Sequence, residues 1–280
     1  MNIPRELLVF EHIPKTAGST MRGILRRLYG GKHVFVATHA GRHPERIEAL
    51  RQRLEDPENE VKAVVAHTGF GFHERLPEGY RFRHYTFLRD PIERVISHYH
   101  YQIQREKLDP STSLETFVRE DLGRSCNVQT AFLGGLEVQR YLDGITLSPE
   151  LYTEALLEKA KANLRRLDTF GLTECFDESL LRLGKVFGWK TTRLFYVRRR
   201  VGRRPQTPNY PPSALKLIRQ YNELDLELYR YGQALYDEQR AALLPNGSLD
   251  VETFQKLNRI YAAVFTRAYP VVQKARGWTK

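Results

Sequence analysis

Two short stretches of the sequence carry residue types that bind anions. In the first, a lysine, a glycine and hydroxyl side chains lie between the apolar run Leu7–Ile13 and a helical pattern that ends near Tyr29. In such a strand–loop–helix unit, the loop N–H groups and the helix dipole favour a negatively charged ligand. We therefore expect a phosphate-like group here. The predicted ligand-binding residues are Lys15, Thr16, Ala17, Gly18, Ser19 and Thr20.

This loop differs from the triphosphate-binding Walker A motif, whose lysine comes last, after a glycine-rich span. Here Lys15 comes first, and the only Walker B candidate, 85–90, is interrupted by Arg89. An ordinary strand-to-helix connection with Ser19 as the helix N-cap is the alternative interpretation. It explains Ser19 but leaves the lysine and the two threonines around a single glycine unexplained.

The second stretch places Arg89 at the end of an apolar run and Ser97 two turns into a helix that starts at Asp90. Ligands of parallel sheets bind outside the carboxyl ends of the strands. The planar guanidinium of arginine can donate two hydrogen bonds at once to two phosphate oxygens. Arg89 and Ser97 are thus predicted to bind a second anionic group. The alternative is an arginine paired with Glu93 or Asp90, which we favour for Arg94 as a surface residue.

Composition sets limits on the class of protein. The chain has 280 residues, 41% of them hydrophobic, with a formal net charge of +11 and a pI near 9.6. This charge favours anionic partners without choosing among nucleotides, acidic glycans, nucleic acid and membranes. Two cysteines, Cys126 and Cys175, exclude a disulfide-rich scaffold and a cysteine zinc site. We see no signal peptide or transmembrane segment, so the expected location is cytoplasmic.

The order of the predicted elements indicates the fold. Apolar runs typical of buried strands alternate with helical patterns, which predicts an α/β fold with a parallel sheet flanked by helices. Two long helices, about Pro212–Leu243 and Val251–Lys274, follow as a C-terminal extension. We expect one domain over residues 1–280, with a nucleotide-binding core at about 1–200 and helices at about 210–280 packed on it.

Both anion-binding stretches resemble motifs of one known family. Residues 10–20 resemble the 5′-phosphosulfate loop of carbohydrate sulfotransferases, and residues 88–97 resemble their 3′-phosphate site. The nearest kin by these motifs are the heparan sulfate 2-O- and 6-O-sulfotransferases and their bacterial relatives. Residues 126–135 and 170–174 agree with the same family, and 221–229 echoes it weakly. The resemblance implies a P-loop-like fold, over roughly residues 7–183.

The resemblance implies a cofactor and roles for the site residues. The donor would be 3′-phosphoadenosine 5′-phosphosulfate (PAPS), and no metal would be needed. Lys15 would contact the oxygen that bridges phosphate and sulfate, while the rest of the loop holds the 5′-phosphate. Arg89 and Ser97 would hold the 3′-phosphate. In the basic loop 198–204, Arg203 and Arg204 would meet the nucleotide, unless this loop binds the acceptor or is simply solvated.

A general base must take the proton of the acceptor, and His67 is the candidate. It follows the apolar run 62–66, and histidine titrates near neutral pH. From the sequence alone, a structural histidine at a strand end is the better interpretation. The heparan sulfate 2-O-sulfotransferases have a catalytic histidine at the corresponding strand end, and this resemblance favours His67 as the base. We expect His73 to be exposed, a minor candidate for acceptor contact, and we expect no metal site.

Two other functions remain open. A P-loop kinase or nucleotide triphosphatase would bind ATP or GTP with Mg²⁺. A nonenzymatic protein that binds polyanions would explain the net charge but not two organised anion motifs. Aromatic residues are not interleaved with the basic ones as a nucleic-acid stacking surface requires, so no nucleic-acid partner is expected. The expected partner is a hydroxylated acceptor, a glycan or glycolipid.

Overall fold

A computed structural model describes residues 5–37, 45–136, 149–197, 210–243 and 250–275. Within these residues five strands form one sheet in the order β2-β3-β1-β4-β5, and every neighbouring pair is parallel. The predicted α/β class is confirmed. The strands are β1 (Arg5–Glu11), β2 (Val34–Ala37), β3 (Ala63–Ala66), β4 (Tyr80–Leu88) and β5 (Thr169–Leu172).

Helices fill the connections between and after the strands. They are α1 (Gly18–Tyr29), α2 (Glu45–Glu55), α3 (Pro91–Gln104), α4 (Leu114–Glu120), α5 (Leu122–Ser125), α6 (Val128–Leu133), α7 (Glu154–Arg166), α8 (Phe176–Phe187), α9 (Pro212–Tyr221), α10 (Glu223–Leu243) and α11 (Val251–Ala275). In the parts of the chain that the structure describes, no helix is both long and apolar enough to span a membrane.

Strand β1 is central and sets the position of the ligand crevice. Its last residue, Glu11, pairs with Ala66 of β3 on one side and with Thr86 of β4 on the other. The chain first builds β2 and β3 on one side of β1 and then crosses to β4 on the other. Such a reversal opens a crevice at the carboxyl ends of the strands. The loops after β1, β3 and β4 therefore meet at one edge.

The alternation of side chains along β1 separates two apolar cores. Leu8 and Phe10 pack with Met21 of α1 and with α8 on one face of the sheet. Leu7 and Val9 pack on the opposite face, against Leu50 of α2. Since successive residues of a strand point to opposite faces, Glu11 shares the face of Leu7 and Val9.

The C-terminal helices differ from the prediction in one respect. The predicted helix over 212–243 is interrupted at Asn222, whose Oδ1 accepts the Asn127 amide while its Nδ2 donates to the Ile218 carbonyl. Close by, the buried Asp225 accepts the backbone amides of Gln129 and Thr130 at the start of α6. These bonds join α10 to the sulfotransferase-like segment 126–135.

Candidate functional site

The loop between β1 and α1 has an unusual backbone. Lys15 (φ 73°) and Ala17 (φ 65°) both adopt the left-handed conformation, which is uncommon outside glycine. The residue between them, Thr16, donates its hydroxyl to the Ile13 carbonyl at 2.8 Å. Alternating left-handed residues turn successive amides toward one concave surface, which suits an anion. In the first turn of α1 the Thr20 amide bonds the Ala17 carbonyl at 3.0 Å, so a ligand there would meet the amides of Gly18 and Ser19.

Two loop residues differ from their expected roles. Thr16 is fully buried, and its hydroxyl bonds the Ile13 carbonyl; the side chain shapes the turn instead of facing a ligand. The alternative interpretation of Ser19 as the N-cap is wrong. Helix α1 begins at Gly18, with Ala17 at the N-cap and no side-chain cap bond. Ser19 and Thr20 lie half-buried in the first turn of α1.

Gly18 is required because His12 packs directly beneath it. A Cβ built on Gly18 would lie 1.5 Å from Nε2 of His12. Burial holds the pKa of His12 well below its usual value, and the positive charges of His67, Arg22 and Lys15 lower it further. The permanently cationic Arg22 of α1 and Lys15 of the loop thus both lie close enough to act on His12, as an anion site requires.

Arg89 connects the two predicted anion motifs. Its guanidinium donates to the Lys15 carbonyl at 3.1 Å and to Oε2 of Glu93 at 3.3 Å. Gln129 holds the Arg89 backbone from both sides, accepting its amide at 2.9 Å and donating to its carbonyl at 2.8 Å. The guanidinium is thereby fixed against the loop, and both the anion-binding and the Glu93-pairing interpretations remain compatible with this position.

Helix α3 supplies the wall next to Arg89. Asp90 caps it by accepting the Glu93 amide, as the sequence predicted. The Lys15 ammonium lies 4.1 Å from the centre of the Tyr101 ring on this helix. Ser97 lies four residues before Tyr101, so the two occupy the same face of the helix. The hydroxyl predicted to bind the 3′-phosphate therefore lies on the helix face that Lys15 contacts.

His67 lies beside the loop, directly after β3. Its ring is 3.9 Å from the His12 ring, in an edge-to-face arrangement, and its amide donates to the Ala37 carbonyl at 3.3 Å. The side chain is half-buried. The structure thus brings His67, Lys15 and Arg89 to one edge of the sheet. Arg203 and Arg204 lie outside the described residues.

Two further expectations are wrong. Arg94 is fully buried instead of at the surface, because α10 brings Asp225 close to it. Burial raises the pKa of Asp225, and the nearby Arg94 opposes that rise. His73 is half-buried instead of exposed, with its ring 4.3 Å from the His84 ring.

Sequence reasoning missed three residues of the site: Arg22, Tyr101 and Gln129. Arg22 lies one turn into α1, and its charge acts on His12. Tyr101 follows Ser97 at helical spacing, which was an available signal. Gln129 belongs to the segment 126–135 that resembles the family, but its contact with Arg89 depends on the tertiary fold.

The parallel sheet with helices in its connections defines an α/β protein, and the loop after β1 contains two left-handed residues. The model of the sulfotransferase family matches residues 2–131 of this chain, which are 130 of its 280 residues.

Three relatives extend the similarity beyond residue 131. Heparan-sulfate 6-O-sulfotransferase 1 of Cricetulus griseus is 26% identical over 196 residues, 59% of this chain and 48% of that protein. Its Homo sapiens counterpart is 25% identical over 186 residues, 56% and 44%. An uncharacterized Archaeoglobus fulgidus protein is 27% identical over 190 residues, 64% and 72%. The chain spans about half the length of the matched heparan-sulfate enzymes.

Proposed function

We propose that the protein is an O-sulfotransferase that moves a sulfuryl group from PAPS to a carbohydrate hydroxyl. The observation that carries the proposal is the 3.1 Å contact between the Arg89 guanidinium and the Lys15 carbonyl. It brings two anion-binding motifs to one crevice. PAPS carries a 5′-phosphosulfate and a separate 3′-phosphate, so a site for it needs two such motifs.

Each motif takes one end of the donor in this proposal. The backbone of residues 15–20, with Ser19 and Thr20, holds the 5′-phosphosulfate at the N-terminus of α1. Arg89 and Ser97 hold the 3′-phosphate. Lys15 leaves the Tyr101 ring to contact the oxygen that bridges phosphorus and sulfur.

The transfer itself is an in-line displacement at sulfur. The acceptor oxygen forms a bond to sulfur while the bond from sulfur to the bridging oxygen breaks, leaving 3′-phosphoadenosine 5′-phosphate (PAP). His67 accepts the hydroxyl proton, and Lys15 stabilises the charge that develops on the bridging oxygen. Catalysis then rests on positioning and charge stabilisation, as in phosphoryl transfer.

The acceptor and the extent of the domain are part of the proposal. A carbohydrate is supported by relatives named as heparan-sulfate 6-O-sulfotransferases and by the net charge of +11, which favours an acidic glycan. The bonds from Asn222 and Asp225 to the α6 region support a single domain in which α9–α11 belong to the enzyme. Arg203 and Arg204 remain proposed contacts of the nucleotide.

Thermal unfolding with PAP, and separately with ATP and Mg²⁺, tests the donor. Ligands that bind only the folded state raise the unfolding temperature, and at equal concentration the tighter ligand raises it more. We expect PAP to stabilise the protein more than ATP–Mg²⁺ does. Stabilisation by ATP–Mg²⁺ alone would identify a kinase or triphosphatase instead. Incubation with sulfur-35-labelled PAPS and a panel of desulfated glycans then tests the transfer.

A further inference from the structure

Three metal-ligating side chains meet on the face of the sheet opposite α1. Glu11 ends β1, His84 lies on β4, and His73 lies in the single turn of 3₁₀ helix at Phe72–Arg75, after β3. Each offers a donor atom, and these atoms all lie within 4.8 Å of one another. The chain positions 11, 73 and 84 follow no metal motif, so only the fold brings them together.

The cluster has hydrogen-bonding capacity that the protein leaves unused. Glu11 and His84 are more than nine-tenths buried, at 3% and 8% exposure. Nonetheless Oε2 of Glu11, Nε2 of His84 and Nδ1 of His73 are buried atoms without a hydrogen-bond partner among the described residues. Buried polar atoms are nearly always satisfied, so Oε2 of Glu11 and Nδ1 of His73 mark unused ligand capacity beside the bond between Glu11 and His84. Nε2 of His84 lies on the other side of its ring from Nδ1 and would not bind the same ion.

The distances suit two ligands of one small cation. Nδ1 of His84 and Oε1 of Glu11 are 3.0 Å apart. Tetrahedral ligands at ~2.1 Å from zinc lie about 3.4 Å from each other. A cation between these two atoms would replace the proton that they share now. The half-buried His73 offers a ring nitrogen within 4.8 Å of the donor atoms of the other two residues.

We propose that Glu11, His73 and His84 bind one divalent ion of the zinc class. Two imidazoles and one carboxylate form a ligand set that zinc and its neighbours accept, with a further position open to water. The proposal does not depend on the sulfotransferase function.

The surroundings of the cluster fit such an ion. Phe70 lies 5.7 Å from the His84 ring, and Phe82 lies 5.5 Å from the His73 ring, so apolar walls limit access of water. Burial lowers the pKa of His73 to about 4, so its ring is neutral and able to ligate at neutral pH. The charges acting on His73 come from His84, Glu74 and Arg166.

The ion would act as a brace for the catalytic edge. It would link β1 and β4 to the 3₁₀ turn after β3, in which His73 lies six residues after His67. Glu11 also directly precedes His12, which packs against His67 and under Gly18. Binding of the ion would therefore stabilise the fold and fix the segment that carries His67.

The test measures the metal directly. The full chain is stripped with EDTA, incubated with excess Zn²⁺, dialysed and analysed for zinc. We expect about one zinc per chain and a higher unfolding temperature. Co²⁺ in place of Zn²⁺ should give a visible absorption band. Both H73A and the isosteric E11Q should lose the zinc and the rise in unfolding temperature, with unchanged circular dichroism.

Three controls locate the ion. H33A removes a distant histidine, and E227Q disrupts the exposed carboxylate cluster Glu154, Glu158 and Glu227. H67A removes a histidine of the catalytic edge. All three should retain the zinc. Less than half an equivalent of zinc, zinc that persists in folded H73A and E11Q, or zinc that is lost in H67A would overturn the proposal.

Discussion

Two groups of histidines lie near the carboxyl end of β1, on opposite faces of the sheet, and their charged neighbours differ in sign. His12 and His67 lie beside the loop between β1 and α1, where the charges that act on His12 come from His67, Arg22 and Lys15. His73 and His84 lie on the other face, where His84 hydrogen-bonds the buried carboxylate of Glu11.

This difference follows from one step along a strand. Glu11 and His12 are adjacent, so an extended backbone directs their side chains to opposite faces. The face with excess positive charge suits a phosphosulfate, and the face with a carboxylate suits a cation. Residue type alone does not distinguish the two histidine pairs; their neighbours do. The predictions below test the face with excess positive charge, from the largest expected effect to the smallest.

The substitution H67A should have the largest effect. If His67 is the base, turnover should fall about 10³-fold, within the range for removal of a general base, while PAP affinity is kept. The measurements are single-turnover transfer and PAP binding by calorimetry. Added imidazole should restore part of the rate, which a structural role would not allow. H33A serves as the matched control, and unchanged turnover in H67A would remove His67 from the mechanism.

The substitution K15A should come next. A donor aimed at charge that develops in the transition state contributes about 10²–10³-fold to turnover, so turnover should fall more than PAP affinity. The control K32A removes an exposed lysine that pairs with Glu60. A large loss of PAP affinity with little loss of turnover would mark Lys15 as a binding residue only.

The stability of the protein should depend on pH through His98, which lies near Lys15 on the face with excess positive charge. Burial lowers the pKa of His98 to about 4; Asp121 opposes this, and Arg94 and Lys15 add to it. Between pH 6.5 and about 4 the unfolded chain therefore binds this proton more strongly than the folded chain.

The free energy of unfolding should thus fall as the pH falls through this window, by up to about 3 kcal/mol from His98. Urea titrations at several pH values measure the slope. H98Q should flatten it, and the remaining slope should include His12 and His73, because burial lowers the pKa of both, that of His73 to about 4. If the free energy of unfolding falls equally steeply with pH in the wild type and in H98Q, His98 does not contribute to the pH dependence.

The sequence predicts the elements of this fold better than it predicts the neighbours of each charge. Hydrophobic runs and the Asp90 cap identify β4 and α3, because strand and helix patterns are local. Arg94 was predicted at the surface because its burial depends on Asp225, 131 residues further along the chain. Asn222 interrupts a helix for the same reason, since it bonds Asn127 on a distant segment.

The candidate site shows the same limit. Lys15, Gly18 and Arg89 are visible in the sequence because they lie in short motifs at the ends of strands. Gln129 is not, since its contact with Arg89 forms only when α6 packs against the end of β4. The spacing of Tyr101 from Ser97 was a signal for its helix face, but its contact with Lys15 depends on the packing of α3 against the loop. The cluster of Glu11, His73 and His84 is a further case, with ligands from three separate segments.

The substitution R89K should weaken PAP binding by about 2 kcal/mol, or about 30-fold, because lysine keeps the charge but loses the fork that contacts two oxygens. It also removes the bond to the Lys15 carbonyl, so the loop should loosen.

Calorimetry with PAP and with adenosine 5′-phosphosulfate measures the effect of R89K on binding. The loss should be larger for PAP, which carries the 3′-phosphate. Equal losses for the two ligands would show that Arg89 acts on the loop alone. The exposed Arg81 provides the control R81K.

The substitution S97A should have the smallest effect, a loss of about 1 kcal/mol in PAP binding, typical of one hydroxyl hydrogen bond. The effect should vanish for adenosine 5′-phosphosulfate, because the Ser97 hydroxyl is proposed to contact only the 3′-phosphate. Ser111, exposed after α3, gives the matched control S111A. In the double variant of Ser97 and Arg89, the loss of PAP binding free energy should differ from the sum of the two single losses, because residues that bind one phosphate are coupled. If the losses of binding free energy are strictly additive, or equal for the two ligands, Ser97 does not contact the 3′-phosphate. Arg89 would then be the one residue of the pair that binds it.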